Sequence, residues 1–565
     1  MSSSALKELT ELHRTMYEKA YAEAIDMMGS GGSNITKYAQ DFSKSLPDEY
    51  KFVNMRRISQ AIDQSRIILY GDFHSHKQCQ RALLRILRTY QATPDHAPMA
   101  LALEMFRSKD QQSLNQWQEG RISDEELLDQ TDYDRIWGFP WEHYRPLLDF
   151  CRQNSIPLYA ANTKDAGKDS LKDRDDHAAK IIAELLHKHR SLRVFYIVGE
   201  YHLADPYLPK SLATLGHRSG ILRIIANSDK YFFQMPQDKI HRRDVYLELN
   251  TQFFCVLNSP PWMKWQSQTL IEELRNIGNS TYIDAEIDDG RSTFEIDEFD
   301  SEDDDDYYYT EDHLDIDSHL RNTVKNIAQF LKIKNHQLLQ DSFKILPGID
   351  HEDIEHLPPS ARNAVLHQSS RDGVAADFQR RLLFISEISM NNLAFASGLV
   401  IFGSLSNARE NYNNSEELFY VQILKLTFGY LANKILNPRI SLHTRKAIED
   451  YIGATKGKHI GGQRKQRREV ARACLKFIKW SESQNVSNSK ITDIRTKPLS
   501  AEVVDLDIRT SHDVSRHIAQ ILASSIYRRT IAGKVDPVDL GKWFSKKCDN
   551  PIKVKQLIRE LTSLI

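Results

Sequence analysis

With 565 residues the chain is too long for a single hydrophobic core, and about two to four domains are expected. Its composition, 41% hydrophobic and 27% charged, excludes a disordered or fibrous chain, and the lack of a long apolar run excludes a membrane helix. The net charge of −2 conceals an asymmetry: Asp284–Asp317 holds 17 acidic residues against one basic residue, Arg291, which leaves 60 acidic and 74 basic residues elsewhere.

Residues 1–45 read as an amphipathic helical segment followed by a Gly/Ser break at Gly29–Ser33. This N-terminus has no apolar leader and no lipid-attachment cysteine. The five cysteines are scattered and form neither a disulfide framework nor a zinc pattern. Both features point to a cytoplasmic setting.

Residues 46–283 read as an α/β domain with a mostly parallel sheet and crossover helices. Short apolar runs alternate with helical periodicity: Ile67–Tyr70, Met99–Leu103, Ile156–Ala160, Val194–Val198 and Ile221–Ile225, with a last run at Phe253–Leu257. Runs of this length, bounded by turn residues, suit buried parallel strands in βαβ units. Residues 284–317 form the acidic segment, read as a solvated linker or as a cover for basic surface. A calcium loop starting at Asp284 fails because Asp289 stands where the sharp turn needs glycine. Residues 318–565 read as largely α-helical, with breaks at Leu357–Ser360 and Gly461–Gly462. Lys456–Arg468 holds six basic residues among glycines. It reads as an exposed basic loop leading into a helix. No aromatics are interleaved there for base stacking, so nucleic acid is not expected as a partner.

The chemistry concentrates at strand ends. The run Ile67–Tyr70 leads into Gly71-Asp72-Phe73-His74, with Ser75 as the expected N-cap of the next helix and Gln78 completing a capping box. Val194–Val198 leads into Gly199-Glu200-Tyr201-His202, and Leu203–Pro206 is expected to open another helix. Glu104 is expected directly after its strand, and Asn162 after the following one. In an open parallel sheet these positions share the edge where ligands bind. Each residue alone is unremarkable in such a place, as a hydrogen-bonded histidine or a helix cap. Several carboxylates and imidazoles buried together need a metal, a proton or a ligand to compensate them.

The runs GDFHSHKQCQRALL, LALEMF, PLYAANTKD and VGEYHLAD resemble the haem-binding uptake family typified by ChaN, of the superfamily that includes the Tiki metalloproteases, TraB-like proteins and erythromycin esterases. The resemblance covers about residues 60–280. It rests on the two G-x-x-H turns and Glu104, with Trp117, Trp137, Trp141 and Tyr144 in the segment that follows. Two features depart from the family pattern: Asp72 replaces the usual glutamate, and the export signal of typical members is missing. No match is seen over 318–565.

The resemblance implies haem or iron binding, with His74, Tyr201, His202 and Asn162 as cofactor contacts and Phe73, Trp137 and Trp141 as walls. The hydrolytic branches of the superfamily imply a second reading. In it a divalent metal is held by Asp72, His74, Glu104 and His202, and catalysis falls to Glu200, His202, His74 and Glu104. A third reading is an interaction scaffold with a degenerate pocket. A protein partner is expected through the helical C-terminal region, and a small-molecule ligand in the pocket.

Overall fold

The computed structural model describes residues 4–28, 33–164, 170–276, 315–334, 343–348, 351–386, 388–411, 414–456, 462–486 and 507–565. The acidic segment up to residue 314, the calcium-loop candidate and part of the basic loop lie outside the described residues. The chain divides into two compact units, one of Met1–Met16 with Thr281–Ile565, the other of Tyr17–Ser280.

The Tyr17–Ser280 unit is built on an eight-stranded sheet. Its strands are β1 (Lys51–Val53), β2 (Ile67–Asp72), β3 (Met99–Arg107), β4 (Leu158–Asn162), β5 (Arg193–Gly199), β6 (Ile221–Ala226), β7 (Val245–Asn250) and β8 (Phe253–Leu257), in the order β1-β7-β8-β6-β2-β5-β3-β4. All pairings from β8 to β4 are parallel. These strands are near-continuous apolar runs because helices cover both faces of such a sheet. The sequence reading did not anticipate β1 or β7, which pair antiparallel at one edge. β7 alternates buried Val245, Leu247 and Leu249 with half-exposed Tyr246 and Glu248, the period-two signature of a strand wet on one face. Glu248 takes a bidentate contact from Arg57.

Two register features set the site. Asp72 of β2 lies opposite Gly199 of β5, so the two strands end level. Between β3 and β4 the register runs from Leu103↔Ala160 to Arg107↔Asn162. Two extra residues of β3 therefore bulge, and Glu104 lies in that bulge, inside the strand rather than after it. Bulges re-aim side chains at sheet ends.

Helix starts differ from expectation. The helix after β2 is Lys77–Gln91, capped by His76 with no side-chain bond. The expected Ser75 cap and capping box do not form, because the chain makes an extra turn in which the His76 N–H bonds the Phe73 carbonyl. After β5 the chain forms a 3-10 turn, Glu200–Leu203, and the next helix is Leu208–Thr214. Leu203–Pro206 thus connects these elements instead of opening a helix.

The other unit is largely helical, as its periodicity predicts. Helices Met390–Ser406 and Ser415–Leu436 are buried on nearly all sides. Helices Ile316–Phe330, Gly462–Val486, Ile508–Ile531 and Pro551–Thr562 complete the bulk of it. A small sheet adds β9 (Lys344–Pro347), β10 (Val374–Asp377) and β11 (Leu382–Ile385), with β11 central. Among the described residues no helix is long and apolar enough to cross a membrane.

Candidate functional site

At the level ends of β2 and β5 three of the expected side chains converge. Glu104 reaches out of its bulge and accepts the Gly199 backbone N–H through Oε2 at 2.8 Å. The His74 Nε2 lies 3.7 Å from Glu104 Oε2, and the His202 Nε2 lies 3.7 Å from Glu104 Oε1. One carboxylate is therefore flanked by two imidazoles.

Each imidazole is backed by a second carboxylate. His74 Nδ1 is 3.0 Å from Asp72 Oδ2, which also accepts the Tyr144 hydroxyl at 2.9 Å; Asp72 Oδ1 accepts Gln80 Nε2 at 2.7 Å. His202 Nδ1 is 2.7 Å from Asp175 Oδ1, and Asp175 Oδ2 accepts the Tyr38 hydroxyl at 3.2 Å. An Nδ1–H held by a carboxylate fixes the tautomer and leaves the Nε2 lone pair facing inward. Burial lowers the pKa of both imidazoles. The hydrogen bond and charge of Asp72 for His74, and of Asp175 for His202, together with the Glu104 charge, outweigh burial and raise both above the usual histidine value.

Asp175 and Tyr38 were not singled out from sequence. Asp175 sits on the buried stripe of helix Leu171–Lys188, with Ala178, Ala179 and Ile182. A carboxylate on an apolar stripe is the signal that could have revealed it. Tyr38 comes from helix Ser33–Ser45 and stacks on Tyr207 at 3.4 Å.

The glycine of the second turn is needed for space. Gly199 has φ −49° and ψ 135°, open to any residue. A Cβ there would lie 3.2 Å from His74 Nε2 and 3.5 Å from His202 Cδ2. Gly71 is needed for packing: a Cβ there would lie 3.1 Å from the Glu200 Cα and Cβ and from Ile225 Cγ2.

The remaining expected residues are placed elsewhere. Glu200 is buried beside Lys264, with Nζ 3.6 Å from Oε1, and Lys264 is also 3.2 Å from Asp229. Burial raises the Glu200 pKa, against the Lys264 charge. It belongs to this ion cluster and not to the imidazole pair. Tyr201 packs on Phe42 at 5.7 Å, and burial and the Glu200 charge raise its pKa to about 12, which opposes ligation as tyrosinate. Asn162 donates to the Glu104 backbone carbonyl at 2.9 Å and accepts the Thr163 N–H, so it pins the bulge. Of the expected walls, Trp137 lies 4.5 Å from the His74 ring, joined by Phe139 at 5.0 Å, which the sequence reading missed. Phe73 packs instead on Trp265 and under Lys264. Trp141 is core, against Trp117 and Tyr133.

The expected metal set does not assemble as one. Asp72, His74, Glu104 and His202 are engaged with one another and with Tyr144, Gln80 and Asp175. Among the described residues no group of three or more His, Cys, Asp or Glu is arranged to hold a metal ion.

Residues 58–174 match the family model described as haem-binding uptake, Tiki superfamily, ChaN. That span holds β2 to β4, with the first G-x-x-H turn, Glu104 and Asn162. Protein RETICULATA-RELATED 5, chloroplastic, of Arabidopsis thaliana is 30% identical over 114 residues, which are 19% of this chain and 15% of that protein. The chain therefore matches only a small part of that relative's length. The structure "Cofacial heme binding to ChaN of Campylobacter jejuni" aligns with 36% of this chain and 91% of its own at 12% identity and a TM-score of 0.28, too loose a likeness to carry an argument. The likeness to the ChaN-like haem-binding uptake family of the Tiki superfamily thus lies in residues 58–174 of the 565-residue chain.

Proposed function

We propose that the Tyr17–Ser280 unit binds haem, which His74, with His202 across Glu104, would hold through imidazole nitrogen. The observation that carries this reading is the pair of carboxylate-backed imidazoles whose Nε2 atoms flank Glu104. The donor chemistry fits the group: haem iron takes an axial imidazole, and an Nδ1–H bonded to carboxylate raises that ligand's basicity. His74 is the more accessible of the two, its side chain 21% exposed against 8% for His202. It also has the aromatic neighbours Trp137 and Phe139 that suit a flat macrocycle. Bound haem would supply iron for ligand or electron chemistry. The protein's share is to orient His74 through Asp72 and Tyr144, and to hold His202 through Asp175. Titration with haemin should give a saturable Soret shift that His74→Ala abolishes and His202→Ala weakens. No saturable shift in the wild type, or an unchanged titration in His74→Ala, sinks the proposal.

A second reading, ester or peptide hydrolysis, is favoured by the Asp72–His74 dyad, the arrangement of an oriented general base. Glu200 fits that role less well because Lys264 engages it. Turnover on an ester and peptide panel that His74→Ala removes would support this reading; no turnover would dismiss it.

A further inference from the structure

Helix Gly462–Val486 carries a row of cations on its outer side. Lys465, Arg468, Arg472, Lys476 and Lys479 recur at spacings of three and four, which places them on one face. All but the half-buried Arg468 are exposed. The opposite side is committed to the unit's core: Val470, Cys474, Phe477 and Ile478 are buried, and the Ser481 hydroxyl bonds Thr562. At a rise of about 1.5 Å per residue the row spans roughly 21 Å, about one positive charge every 5 Å. Within it only Glu469 is acidic.

The character of this face narrows the partner. A helix that lies on a bilayer turns its apolar side outward, and here that side is packed inside the protein. Single-stranded nucleic acid is bound with aromatic platforms between the cations, and the row has none.

We propose that the row is the docking surface for the chain's own acidic segment, residues 284–314. That segment carries 15 of the 17 acidic residues in Asp284–Asp317, including Asp303–Asp306. It continues directly into Asp315, which caps helix Ile316–Phe330 of the same unit. A tether of this kind presents its charges at an effective concentration in the millimolar range. Fully extended, it reaches about 100 Å, several times the length of the row. The balance of charge agrees: without Asp284–Asp317 the chain has 74 basic and 60 acidic residues.

Zero-length carboxylate–amine crosslinking of the full chain, mapped by mass spectrometry, tests this directly. A mixture of light and 15N-labelled protein separates links within a chain from links between chains. At low salt, Lys465, Lys476 and Lys479 should link to acidic residues of 284–314 within one chain, and the yield should fall about fivefold or more in 0.5 M NaCl, as screening predicts. Links spread evenly over other lysines, links only between chains, or none from these three lysines would overturn the proposal. Independently, replacing Asp303, Asp304, Asp305 and Asp306 with asparagine should delay elution from immobilised heparin by uncovering the row. Unchanged elution would also overturn it.

Discussion

Substituting the two turn glycines separates a residue that makes room for a ligand from one that makes room for the fold. In Gly199→Ala the new methyl sits 3.2 Å from His74 Nε2 and 3.5 Å from His202 Cδ2. The backbone, at φ −49°, accepts alanine without strain. Reduced freedom of the unfolded chain stabilises by about 0.4–1 kcal/mol. Crowding an imidazole that must give by a few tenths of an ångström costs about 1–3 kcal/mol. The net change is a loss of roughly 0–2.6 kcal/mol, and in a unit of this size each kcal/mol moves Tm by about 2–4 °C. The methyl crowds the His74 Nε2 that would hold haem, so haemin affinity should fall at least about tenfold, or 1.4 kcal/mol. In Gly71→Ala the clash is with the Glu200 Cα at 3.1 Å, and backbone in a packed turn cannot yield as a side chain can. That variant should lose about 3 kcal/mol or more. Thermal melting and haemin titration of both variants provide the comparison. Wild-type affinity in Gly199→Ala, or a Tm loss as large as that of Gly71→Ala, would refute the assignment of the two glycines.

Two further outcomes are expected. Lys264→Met leaves the buried Glu200 and the half-buried Asp229 without their cation, and should destabilise the α/β unit by about 3–5 kcal/mol in urea unfolding; a change below about 1 kcal/mol would mean the cluster is not a compensated ion group. In the helical unit Asp372 accepts from Arg516, His512 and Tyr430. Burial raises its pKa, but the Arg516 charge and these bonds outweigh burial and hold it well below the usual carboxylate range. A depressed folded-state pKa contributes stability above the unfolded value of about 3.9, and that stability is lost as pH falls through the folded value. The destabilisation by Asp372→Asn should therefore be about 3–5 kcal/mol at pH 7 and shrink progressively below about pH 4. An equal loss at pH 7 and pH 3 would contradict this account.

What the sequence by itself determined is local. Apolar runs ending in glycine identify buried strands, because alternation of turn residues with β-branched and apolar residues is a property of neighbouring positions. From them came the parallel sheet and the placing of His74, Glu104 and His202 at its edge. Short-range turn geometry was less legible. The Ser75 cap gives way to a turn at Phe73–His76 and the helix after Leu203 to a 3-10 turn at Glu200–Leu203; His76 meets Ser267 there and His202 meets Asp175, long-range contacts that no local pattern encodes. Tertiary structure alone decided the partners. It turned Glu104 inward through a bulge, brought Asp175 and Tyr38 from distant helices behind His202, and withdrew Glu200 to Lys264. These are long-range choices, made where buried charge must find a compensating group, and the nearest residue in space is seldom the nearest in the chain.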